Sequence, residues 1–161
     1  MIRKWDVVYW FSERALHPSA RRTTSPPTGT APHDLRRHGT VLVVTFRATG
    51  EAVPTPLSCA VSNGRLYAST AADSGKVKRI HRNPKVLVAP STVRGKPLAP
   101  HTAATARVLE SHEAEHAERV LDGRYGALRR LYRKAVDAKT TDTAYLEITP
   151  TRPTGPGDDD R

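Results

Sequence analysis

The run Val53-Pro-Thr-Pro-Leu-Ser-Cys-Ala-Val-Ser-Asn-Gly-Arg-Leu-Tyr-Ala-Ser-Thr70 decides the fold class. Asn63-Gly64 sits between two β-rich runs, and this dipeptide favours the two-residue turn that closes an antiparallel hairpin. Val53 to Val61 and Arg65 to Thr70 are therefore read as paired strands. Pro54 and Pro56 cannot donate to a ladder, so they limit where the first of these strands can sit. Before the hairpin, Thr40-Val-Leu-Val-Val-Thr-Phe-Arg47 is apolar at odd and even positions alike, as a strand covered on both faces would be. After it, Lys85-Val-Leu-Val-Ala-Pro-Ser91, Thr102 to Leu109 and Tyr145-Leu-Glu-Ile148 continue the β pattern. Ser74 is expected to cap a short helix that ends at Asn83-Pro84. A second helix is expected from a Ser111 cap, with Glu113 and Glu115 in its first turn and interruptions at Gly123 and Gly126. Its second part, with Leu128, Leu131, Tyr132 and Ala135, reads as amphipathic. About six strands with short turns favour an antiparallel barrel over a doubly wound sheet.

The ends differ from this middle. Residues 1–11 hold Trp5, Tyr9, Trp10 and Phe11, which suit a segment docking on its own domain or on a partner subunit. Residues 17–33 are rich in Pro, Ser and Thr without periodicity and read as a linker or disordered arm. The expected organisation is an extension over 1–33, a folded domain over 34–150 and an acidic tail over 151–161.

The chain has 161 residues, of which 37% are apolar, enough for one core. With 26 basic and 16 acidic residues its net charge is +10, and the densest part, residues 65–96, carries eight basic side chains and one acidic for +7. Nucleic acid, an anionic membrane face and a phosphorylated ligand are the partners such charge suggests. The strands lack the aromatic interleaving of single-strand binders, and no apolar run reaches the roughly 18 residues of a membrane span. Nucleic acid and membrane are therefore not expected partners. One cysteine, Cys59, excludes an internal disulfide and a Cys-rich zinc site; with no export signal, the expected location is cytoplasmic.

Two motifs could carry chemistry. His112-Glu113-Ala114-Glu115-His116 spells the zinc-protease pattern, but its flanks Glu110, Ser111, Glu118 and Arg119 suit a solvated helix face, so no metal is expected. Ser74-Gly75-Lys76-Val77-Lys78-Arg79 places a glycine and a lysine at a helix N-terminus, where unpaired N–H groups and the helix dipole favour an anion. The same pattern also fits a capped surface helix with solvated lysines. Ser91-Thr92-Val93-Arg94-Gly95-Lys96-Pro97 adds hydroxyls and cations at a strand end, a weak signal alone.

Thr45-Phe46-Arg47, Pro54-Thr55-Pro56, Leu66-Tyr67, Ser74 to Arg79, Asn83-Pro84 and Ala89 to Pro97 together resemble the pyridoxamine-phosphate-oxidase-like split-barrel oxidoreductases, in their deazaflavin (coenzyme F-420)-dependent branch. The resemblance covers about residues 34–150. It implies a mainly β protein: a six-stranded antiparallel split β-barrel with flanking helices that forms a homodimer, its cofactor groove at the subunit interface. It implies that Lys76 contacts the cofactor phosphate with Ser74, Gly75 and Lys78 beside it. Pro54, Thr55 and Pro56 would lie along the ring system, and Ser69 and Thr70 would lead into the phosphate site. Ser91, Thr92 and Arg94 would reach the tail or the partner. The implied reaction is hydride transfer from reduced F-420 to an electrophilic carbon of a small-molecule substrate, with no catalytic residue named. FMN is the alternative cofactor, and a non-catalytic cofactor, heme or tetrapyrrole binder is the alternative role. Relatives often carry an aromatic such as Trp where this chain reads Leu57-Ser58-Cys59-Ala60, which widens the ring pocket.

Overall fold

In a computed structural model that describes residues 17–21, 33–137 and 142–151, six strands close into an antiparallel barrel. They are β1 (Thr40–Phe46), β2 (Ala52–Ser62), β3 (Arg65–Ala71), β4 (Lys85–Pro90), β5 (Thr102–Val108) and β6 (Thr143–Pro150), in spatial order β1-β2-β3-β6-β5-β4. Three helices accompany them: α1 (His33–Arg37), α2 (Gly75–Arg82) and α3 (Ser111–Asp137). The 3-10 turn Pro18–Arg21 forms a strap on the outside.

The barrel follows from alternation. Val41 and Val43 of β1, Leu57 and Cys59 of β2, Leu66 and Ala68 of β3, and Leu146 and Ile148 of β6 join one buried interior cluster. Each side chain of Val, Leu or Ile size taken fully from water contributes about 1.5–3 kcal/mol. Ile80 of α2 and Leu35 of α1 enter the same cluster and tie both helices to the barrel. The hairpin turn forms as expected: Asn63 and Gly64 both have positive φ, 49° and 74°, and Ser62 pairs with Arg65.

β1 is apolar on both faces because both are covered. Its outward residues Leu42 and Val44 form a separate cluster with Ala20 of the strap, flanked by Phe46, Ala52 and Leu87. The outer face of β2, β3 and β6 is covered by α3, where Ala60, Tyr67 and Tyr145 pack on Ala117 and Leu121. Tyr125 of α3 reinforces this: its hydroxyl lies 2.6 Å from the Gly39 carbonyl and 2.9 Å from that of Cys59.

Two helix details differ from the sequence reading. The N-cap of α3 is Glu110, not Ser111: the Glu110 carbonyl accepts from Glu113 N and Ala114 N, and the Glu113 carboxylate returns to Glu110 N at 3.2 Å. This is one half of a capping box. The interruption of α3 falls at Gly126, with φ 57° and ψ −141°, while Gly123 stays inside the helical run. The aromatic cluster of residues 1–11, most of the expected linker, the side chains from Leu128 to Ala135 and the tail from residue 152 lie outside the described residues.

Candidate functional site

The connection from β3 into α2 is short. Ser74 N donates to the Ala71 carbonyl at 3.1 Å, and Ser74 takes the N-cap position with φ −66° and ψ 150°. An N-cap serine normally accepts a backbone N–H of its helix. Here the hydroxyl makes no cap bond: Ser74 is 5% exposed, and its Oγ is buried without a hydrogen-bond partner. The expected Ser74 cap is thus in position but not bonded.

Cations crowd this helix start. Lys76 is 4% exposed, and its ammonium donates to the Thr70 hydroxyl at 2.9 Å. Arg79, one turn on from Gly75, folds back so far that a Cβ on Gly75 would lie 2.9 Å from its Nη1. The Arg79 Nε donates to Thr45 Oγ1 at 2.7 Å, and Thr45 passes its own proton toward the Val53 carbonyl at 3.4 Å. Lys78 is exposed at the rim, and no acidic residue occupies the first turn. The helix dipole disfavours cations at this end by about 0.3–1 kcal/mol each. An anion placed at the helix start offsets that cost and gives the Ser74 hydroxyl a partner.

The structure therefore gathers Thr70, Ser74, Gly75 and Lys76 into one cradle and adds Thr45 and Arg79. Sequence reasoning left the last two out of the site. Their signal was present: Thr45 is the hydroxyl in the inward series Val41, Val43, Thr45, and Arg79 shares a helix face with Gly75. Ser69 lies next to Thr70 but on the other face of β3.

Pro54 and Pro56 pair with Val44 and Leu42, so they face outward, while Thr55, opposite Val43, turns the other way. All three are half-buried. Ser91 N donates to the Thr40 carbonyl, which places Ser91, Thr92 and Arg94 at the start of β1. Thr45 is five residues further along, so about 17 Å of strand separates this group from the α2 cradle within one copy. The Ser91 Oγ and the His101 Nε2 are also buried without partners, and burial pushes the His101 ring below the usual histidine range. The turn from Thr92 to Lys96 is closed by Thr92 N to Lys96 O at 3.0 Å and by Gly95 N to Thr92 O at 2.8 Å. Gly95 has φ 79°, a conformation that costs glycine least.

A cleft of about 460 Å³ lies at the other end of β3, lined by Arg65, Tyr67, Arg107, Glu113, His116 and Glu147 among others. Its charges answer one another. Glu147, 6% exposed, accepts from Arg107 Nε at 2.9 Å, Tyr67 OH at 3.0 Å and Arg65 Nη1 at 3.2 Å. Arg107 also holds Glu113 through two bonds of 2.8 Å. Burial opposes ionisation of Glu147, but these donors outweigh it and hold the carboxyl below the usual range. The Arg107 guanidinium and the Glu110 N–H hold Glu113 down to about 2. In the His112 to His116 motif, Glu113 is thus committed to Arg107, and His116 stacks edge-on against Tyr67 with ring centres 5.3 Å apart. Among the described residues, no three His, Cys, Asp or Glu side chains are grouped to hold a metal ion. No described helix is long and apolar enough to cross a membrane.

No protein-family model and no curated protein matches the chain. Solved structures do. HutZ, the heme storage protein of Vibrio cholerae, is 14% identical over 74% of this chain and 87% of its own, with a TM-score of 0.55. A FAD-binding protein of Mesorhizobium loti is 14% identical over 73% and 83%, with a TM-score of 0.50. An F-420 reductase, 18% identical over 80% and 97%, scores 0.48 and adds no weight. Identities this low speak to architecture alone, and the architecture agrees with the closed order of six antiparallel strands. The chain has the split-barrel fold that these neighbours share.

Proposed function

We propose that the chain is a coenzyme F-420-dependent reductase that binds the cofactor phosphate at the start of α2. The observation that carries this reading is the Ser74 hydroxyl, buried and without a partner at a helix N-terminus beside a buried lysine. In this reading Ser74 Oγ and the first N–H groups of α2 donate to phosphate oxygens, and Lys76 adds a point charge whose place is fixed by Thr70. Pro54 and Pro56 offer an outward strip without N–H donors, suited to one face of a ring. When bound, reduced F-420 supplies a hydride for an electrophilic carbon of a small organic substrate. The chain's own part is to orient ring and substrate and keep water from them.

The +7 of residues 65–96 favours F-420, with its phosphodiester and polyglutamate tail, over FMN with one phosphate. The Ser91 to Arg94 group lies the length of β1 from the cradle, so a groove using both groups is best completed by the second subunit of a homodimer. A non-catalytic heme or tetrapyrrole binder is the second reading, favoured by the fold shared with HutZ. Equilibrium titration with F-420, FMN and hemin separates the three. F-420 is expected to bind most tightly and to lose about tenfold or more in affinity on Lys76→Ala, since a hydrogen bond to a charged group contributes about 1.5–3 kcal/mol. Tightest binding of FMN or hemin would replace the reading.

A further inference from the structure

The strap precedes the barrel in sequence and lies against it in space. His17 N donates to the Arg94 carbonyl at 2.8 Å, and Ala20 is 0% exposed on Leu42 and Val44. Leu42 and Val44 are the register partners of Pro56 and Pro54. The strap therefore lies against the outer face that carries the Pro54 to Pro56 strip and bonds to the Ser91 to Arg94 turn.

His17 supplies a defined polar group there. Its Nδ1 lies 2.6 Å from Ser19 Oγ and receives the Ser19 backbone N–H at 3.2 Å. A nitrogen that accepts a backbone N–H carries no hydrogen itself, so in the neutral ring the hydrogen is on Nε2. The ring is half-buried, and Nε2 has no hydrogen-bond partner among the described residues. Ser19 thus holds one tautomer and leaves one donor.

We propose that residues 17–21 form a wall of the cofactor groove and that His17 is a cofactor-binding residue whose Nε2–H donates to an acceptor oxygen of the bound cofactor. The proposal rests on the cofactor reading above and extends it to a segment outside the barrel domain.

The test is fluorescence titration of the full-length protein with F-420, repeated with FMN, for the wild type, His17→Leu, His17→Gln and Ala20→Arg. His17→Leu is expected to weaken binding about tenfold with an unchanged thermal midpoint, the usual effect of losing one hydrogen bond. His17→Gln, whose amide keeps a donor at similar reach, is expected to recover most of the loss. Ala20→Arg, which cannot fit over Leu42 and Val44, is expected to weaken binding at least as much. Wild-type binding that stays within twofold in both His17→Leu and Ala20→Arg overturns this proposal alone. A wild type that binds neither cofactor overturns it together with the reading beneath it.

Discussion

Ser74 illustrates how a residue can be correct for its position and still lack its bond. A buried hydroxyl without a partner costs about 1–3 kcal/mol relative to one that is satisfied. Ser74→Ala removes that atom and loses no cap bond, since none is made. The variant is expected to raise unfolding free energy by about 1 kcal/mol in urea melts while weakening cofactor binding, the opposing signs of a site built for a ligand. A fall in stability would mean that the hydroxyl serves the fold. Cys59 shows the contrasting case. It is fully buried in the barrel interior, where burial pushes its thiol up to about 12, and it packs as a small apolar group. At this scale the sequence disclosed the residue types of the cradle but not Arg79's return over Gly75, because a side-chain direction depends on what packs around it.

Among the elements, α3 depends most on charge. The Arg107 guanidinium joins Glu147 of β6 to Glu113 in the first turn of α3, and Tyr145 adds a bond to Glu118 at 2.8 Å. Glu147→Gln is expected to cost about 2 kcal/mol, less than a fully buried pair because Arg65 and Arg107 are half exposed. Urea denaturation measures it, and a change under about 0.3 kcal/mol would show that the network does not hold the helix. The pH effect has a definite sign. Glu113 and Glu147 both titrate below the unfolded carboxylate range, so their contribution is full above about pH 4.3 and is lost as pH falls toward the folded values, near 2 for Glu113. Amide protection factors, taken against the intrinsic exchange rate at each pH, should therefore fall in the first turns of α3 on acidification from pH 5 to pH 2, ahead of those of the β1 amides. An equal fall in both would contradict a local clamp. Alternating strands, the Asn63-Gly64 turn and the Asn83-Pro84 stop were readable because each depends on neighbours in sequence. The Glu110 cap and the strap were not, because Ala20, in a stretch without periodicity, is held by Leu42 and Val44 across the chain.

For the whole molecule, the +10 resolves into distinct uses. Arg65 and Arg107 are answered by Glu147 and Glu113, whereas the cations of α2 stand at a helix start with no acid in its first turn. Within residues 65–96, Lys76, Lys78 and Arg79 stand at the cradle and Arg94 and Lys96 in the turn from Thr92 to Lys96, about one strand length apart. The barrel itself follows from strand patterning that any sequence of this kind would share, which is why the fold is legible and the ligand is carried by a few side chains. The central claim is that these side chains hold the phosphate of F-420. Fluorescence titration of F-420 into wild type and Lys76→Ala at fixed ionic strength tests it most directly. Saturable quenching in the micromolar range, weakened by about tenfold or more in Lys76→Ala, is the predicted result. Absence of quenching by the wild type, or equal affinity in the variant, would contradict it.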